Sequence, residues 1–91
     1  MKLTQVSTDN CYWCKVAKDF IEPRISIGYS YLDLNKDIIN NKYKLGLVGV
    51  PQFYLEDENG VIIDKWTGFN EKKLNSVIKS TFNYNYKVEV L

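Results

Sequence analysis

Histidine is absent from this 91-residue chain, and cysteine occurs only at Cys11 and Cys14. A zinc site takes about four ligands, so a single copy cannot complete one from these thiols, and a shared site would need two copies. No sign of charge dominates: twelve basic residues against eleven acidic ones leave a formal charge of +1. Such a surface offers no positive field to a phosphate backbone, and nucleic acid is not an expected partner. No apolar stretch is long enough to span a bilayer. The opening residues, Met1-Lys2-Leu3-Thr4-Gln5-Val6-Ser7, alternate polar and apolar without the apolar run of a signal peptide. The expected location is therefore cytoplasmic, with no membrane partner.

What is present suffices for a core. Hydrophobic residues make up 45% of the chain and aromatic residues 14%, well above the composition of a disordered segment. The length suits one compact domain over residues 1–91, expected as a monomer. Leu3 and Val6 sit in a short strand that breaks at Thr8-Asp9-Asn10, residue types that cap helices, so a helix is expected to begin at or just before Cys11. Val16, Ala17, Phe20 and Ile21 recur at helical spacing, and Pro23 ends the element near Glu22. Gly28 to Leu34 reads as a second strand. Asn35 to Leu45 reads as a helix with Ile38 and Ile39 turned inward, closed by Gly46.

From Val50 to Leu55 the chain is again strand-like, and Glu58-Asn59-Gly60 supplies a turn into a strand from Val61 to Trp66. Leu74, Val77, Ile78 and Phe82 then mark one face of a last helix, from about Asn70 to Phe82. The tail, residues 83–91, alternates as an edge strand does, with fraying as the alternative. The order βαβαββα describes an α/β fold with a mixed four-stranded sheet flanked by helices on both faces.

The two cysteines are the candidate chemistry. Three residues apart on a helix, side chains share one face at about 5–6 Å, within the α-carbon separation of about 4.4–6.8 Å that a disulfide accepts. Cys11 at the helix start meets unpaired amides and the positive end of the macrodipole, which favour a thiolate, and Lys15 adds a cation as a thiolate-stabilising candidate. Cys14, one turn deeper beside Ala17 and Ile21, is the more buried partner. These positions assign nucleophilic attack to Cys11 and resolution of the mixed disulfide to Cys14. A structural staple and a pair of inert core thiols compete with this reading. The staple closes too short a loop to remove much entropy, and inert thiols do not favour a helix start.

Cys11-Tyr12-Trp13-Cys14 after a first strand, Gly49-Val50-Pro51 opening a later strand, and Thr67-Gly68-Phe69 before the last helix together resemble the thioredoxin superfamily. The likeness is to its short glutaredoxin-sized form, of the kind small phages encode, and it covers nearly the whole chain. It implies a cis bond before Pro51, facing the cysteine pair, with the backbone of Val50 pairing to bound peptide or glutathione. It also implies substrate contacts from Tyr12, Trp13, Gly68 and Phe69. The implied activity is that of a dithiol electron carrier reducing protein disulfides, ribonucleotide reductase among them. Its cofactor is its own redox-active disulfide, rereduced by thioredoxin reductase or by glutathione. A glutathione-dependent glutaredoxin and a redox-inactive binding module of the same fold are the alternatives. Two departures stand out. Thr67-Gly68-Phe69-Asn70-Glu71 replaces the Gly-Gly-acid stretch with which glutaredoxins hold glutathione. Gln5 stands where thioredoxins bury an acid.

Overall fold

The computed structural model describes residues 1–82. Seven elements follow in the order β1 (Lys2–Ser7), α1 (Tyr12–Ile21), β2 (Tyr29–Asp33), α2 (Asn41–Lys44), β3 (Gln52–Glu56), β4 (Ile62–Thr67) and α3 (Glu71–Thr81). The strands form one sheet in the order β2-β1-β3-β4. β1 runs parallel to β2 and antiparallel to β3, and β3 runs antiparallel to β4, so the sheet is mixed. The expected edge strand at 83–91 lies outside the described residues.

Alternation along the central strands divides the apolar residues between two faces. Leu3, Phe53 and Leu55 join Ala17 and Ile21 of α1 and Leu74, Val77 and Ile78 of α3 in one buried cluster. Val6 and Tyr54 point the other way and meet Ile39 and Tyr43, beneath α2. Helices thus cover both faces. Gly28 enters β2 at φ +96, and a Cβ there would meet the Met1 carbonyl oxygen at 2.8 Å. Glycine is what lets the chain come close enough for its carbonyl to accept from the Leu3 amide at 2.7 Å.

The second helix departs from expectation. The helix expected over Asn35 to Leu45 is confined to Asn41–Lys44, capped by the Asn40 side chain accepting from the Lys42 amide. The reason lies in two aspartates. The Asp33 carboxylate accepts from the Asn35 amide, and the Asp37 carboxylate accepts from the Asp33 amide. These local bonds close a turn that competes with helix propagation. Ile39 is buried as expected, but Ile38, expected to face inward, is fully exposed on that turn. The β3–β4 connection is likewise closed by Asp57, whose carboxylate accepts from the amides of Asn59 and Val61, and Gly60 takes φ +80. The last strand accordingly starts at Ile62 rather than Val61.

Glu56 is a buried charge at the end of β3, 2% exposed. It accepts from the Lys42 ammonium at 2.7 Å and from the Tyr43 hydroxyl, and Thr4 adds a contact at 3.4 Å, so α2 is tied to the sheet through one carboxylate. Burial pushes its pKa up, but the hydrogen bonds from Lys42 and Tyr43 and the charges of Lys42 and Lys2 outweigh burial. The carboxyl is held below the usual range. A depressed folded-state pKa gives stability that is present above the ordinary carboxylate pKa and is lost as pH falls through the folded value. Glu56→Gln is expected to cost about 1–2 kcal/mol at neutral pH, kept small because Lys42 is partly solvated. The gap to the wild type should narrow as pH falls below the ordinary carboxylate range, as the Glu56 carboxyl takes up its proton, in urea titrations run at descending pH. A gap that stays constant with pH would contradict this role for the carboxylate.

Candidate active site

In the β1–β3–β4 register Val6 pairs with Gln52 and Gln52 with Thr67. The C-terminal ends of β1 and β4 and the start of β3 therefore lie at one end of the sheet. The loops leaving these ends carry Cys11, Val50-Pro51 and Gly68-Phe69, so three segments distant in sequence converge.

Cys11 is the N-cap of α1, with extended backbone angles, and its sulfur accepts from the Cys14 amide at 3.1 Å. The expected capping residues, Thr8-Asp9-Asn10, stop short of that position: a sulfur does what an oxygen usually does at a helix start. Cys14 is fully buried beside Ala17 and Ile21, while Cys11 is half-buried at the surface. The two form a disulfide with α-carbons 5.2 Å apart. No free cysteine remains among the described residues, and none of those residues form a group of three or more histidine, cysteine or acidic side chains suited to a metal.

Beneath the pair lies Gln5, fully buried. Its amide nitrogen donates to the Cys14 carbonyl and to the Ser7 hydroxyl, each at 2.9 Å, and its oxygen accepts from the Tyr29 hydroxyl at 2.7 Å. The first turn of α1 is thereby held to β1 and β2 by a neutral side chain. Burial pushes the Tyr29 hydroxyl far above its ordinary pKa, so it stays protonated and donates. Sequence reasoning marked Gln5 as a missing acid; its positive role, bonding three partners at once, becomes visible only once β2 and α1 are in place.

The residues expected to contact substrate come together. Trp13, Val50, Pro51, Gly68 and Phe69 line one groove of about 280 Å³. The Val50–Pro51 peptide is cis. Pro51 is buried, and its carbonyl accepts from the Gly68 amide at 2.8 Å, joining two walls of the groove at their base. Gly68 takes φ +90, a conformation other residues rarely adopt, and nothing lies within 4 Å of a Cβ built on it. Its glycine is thus required by the turn rather than by crowding.

Trp13, 52% exposed, stacks on Phe69 at 5.9 Å and 12° between planes. Tyr12, 70% exposed, meets Trp13 edge-on at 5.0 Å, outside the groove lining. Phe20 meets Phe69 edge-on in turn. The stack of Trp13 on Phe69 has no counterpart in local sequence pattern. Lys15 stands apart from this cluster: its side chain is 78% exposed and its ammonium pairs with Asp19 at 3.8 Å. Solvent and that carboxylate weaken any field it exerts on the sulfur.

No protein-family model matches the chain. It is similar to the SPbeta prophage-derived thioredoxin-like protein YosR of Bacillus subtilis, with 24% identity over 79 residues, covering 87% of this chain and 96% of that protein. Among solved structures it superposes on Plasmodium falciparum thioredoxin with a TM-score of 0.72 at 19% identity, covering 88% of this chain and 84% of that one. Fasciola hepatica thioredoxin gives a TM-score of 0.69 at 19% identity, with coverage of 86% and 77%. These structures share the fold, and in this chain the bridged Cys11-Tyr12-Trp13-Cys14 motif stands at the head of α1. The chain therefore has the thioredoxin fold, with a bridged Cys-x-x-Cys pair at the head of its first helix.

Proposed function

We propose that this protein is a dithiol electron carrier that reduces disulfides in other proteins. The observation that carries the reading is the unequal setting of the two sulfurs: Cys11 half-buried at the cap with an amide aimed at it, Cys14 buried one turn in. In the reduced protein the Cys14 amide and the start of α1 stabilise a Cys11 thiolate.

That thiolate attacks one sulfur of the substrate disulfide, forming a mixed disulfide and releasing the first substrate thiolate, which takes up a proton. Cys14 then loses its proton and attacks the Cys11 sulfur. The second substrate thiol leaves, and the Cys11–Cys14 disulfide remains, two electrons having passed to the substrate. An external dithiol or thiol pair returns them, with thioredoxin reductase or glutathione as the source. The substrate chain lies along Val50 and Pro51, and the exposed rings of Tyr12 and Trp13, with the partly buried ring of Phe69, receive apolar side chains beside its cystine. Ribonucleotide reductase is the protein substrate we carry forward, and the cytoplasm is the location that suits it.

A glutathione-dependent reaction is less well supported. None of the five residues lining the groove carries a charge, whereas glutathione brings two carboxylates and an ammonium that gain most from charged partners.

Cys11→Ser is expected to abolish reduction of insulin by the purified protein with dithiothreitol as electron source. Cys14→Ser should instead accumulate a mixed disulfide, visible as a reductant-sensitive adduct by mass. Insulin reduction that survived in Cys11→Ser would remove the assignment. Gln5→Leu leaves the Tyr29 hydroxyl without its acceptor and takes the side-chain donor from the Cys14 carbonyl, at an expected cost of about 2–3 kcal/mol in urea unfolding. A loss below about 0.5 kcal/mol would show that the network contributes little.

A further inference from the structure

Gln52 follows Pro51 at the start of β3 and is 1% exposed, so its side chain is shut away from anything bound in the groove. It nevertheless makes three polar contacts, and each goes to a segment that leads into a groove wall. Its Oε1 accepts from the Val48 amide at 3.2 Å and from the Thr67 hydroxyl at 2.7 Å, while its Nε2 donates to the Trp66 carbonyl at 3.1 Å. Val48 lies two residues before Val50. Trp66 and Thr67 run directly into Gly68 and Phe69. The two segments also touch, since a Cβ built on Gly49 would lie 3.4 Å from Thr67 Cγ2.

A primary amide is the group that satisfies this set. One end offers lone pairs to two donors while the other donates to a carbonyl; a carboxylate lacks the donor, and a thioether of the same length supplies almost nothing. The Pro51 carbonyl bond to Gly68 and the β3–β4 ladder, which pairs Gln52 with Thr67, join the strand ends, but neither reaches the segment before Val50. The side chain of Gln52 does, holding Val48 to Trp66 and Thr67.

We propose that Gln52 is a positioning residue for substrate: from behind the groove, it sets the spacing of Val50-Pro51 against Gly68-Phe69 and so governs affinity for an extended peptide. The inference rests on the reading of that groove as the protein-disulfide site. It separates binding from sulfur chemistry, because none of the three bonds reaches α1.

Two variants test it. Gln52→Met keeps the length and removes all three bonds. Thr67→Val keeps the shape and removes one bond at the solvent-facing rim. For each, KM and kcat are measured for insulin reduction, alongside the rate at which iodoacetamide alkylates Cys11 in the reduced protein, a reagent too small to need the groove. The KM for insulin is expected to rise about two- to tenfold in Thr67→Val, the range set by one hydrogen bond, and further in Gln52→Met. The kcat and the alkylation rate should stay within about twofold of the wild type.

A folded Gln52→Met and Thr67→Val that both keep the wild-type KM would overturn the proposal. Alkylation slowed in step with the loss of insulin affinity would overturn it too, by placing the effect on the cysteine turn. If Gln52→Met does not fold, Thr67→Val decides alone. A wild-type chain inert toward insulin would overturn the functional reading and this proposal with it, whereas an active wild type with unaffected variants removes only the role of Gln52.

Discussion

The structure depends first on a single contact, the Cys14 amide donating to the Cys11 sulfur. A helix start leaves several amides without partners, and something must accept from them. In α3 a side-chain oxygen does so, Asn70 accepting from the Lys73 amide. In α1 the acceptor is a sulfur of the disulfide itself, so the atom that satisfies the backbone is also one of the two that the bridge joins. Folding the helix and placing that sulfur are one event.

The rest of the molecule arranges matter around that atom in two ways. Gln5 holds the first turn of α1 down onto β1 and β2, which keeps Cys14 buried and within bonding distance of Cys11. Gln52 works on the opposite side, among the loops, where the segments before Val50 and Gly68 meet. Both are neutral amides enclosed by protein, and both use their donor and acceptor ends at once. Buried amides of this kind fix geometry without adding charge, which suits a site where added charge would alter the thiol.

Much of this was legible in the residues. Alternation in the opening residues and the strand-like run from Val50 to Leu55 gave the central strands, helical spacing in Val16 to Ile21 and Leu74 to Ile78 gave two helices, and the Cys-x-x-Cys spacing marked the two sulfurs that the fold bridges. The likeness of three short motifs to a known superfamily grouped Tyr12, Trp13, Val50, Pro51, Gly68 and Phe69, and all of these but Tyr12 line one groove. What was missed has a common cause. The short α2 follows from Asp33 and Asp37 bonding to nearby amides, a competition that apolar spacing does not register. The stacking of Trp13 on Phe69 and the contacts of Gln52 with Val48, Trp66 and Thr67 join segments far apart in sequence. Such pairings exist only in the folded register. The sulfur cap was hidden differently, because Asp9 and Asn10 are better capping residues by type but lie one or two positions too early.

The Glu56 cluster lies at the opposite end of β3 from Gln52, four residues away, a span of about 13 Å along a strand. Its partners Thr4, Lys42 and Tyr43 make no contact with either sulfur, so a mutation at Glu56 can loosen the anchoring of α2 while leaving every neighbour of the disulfide in place.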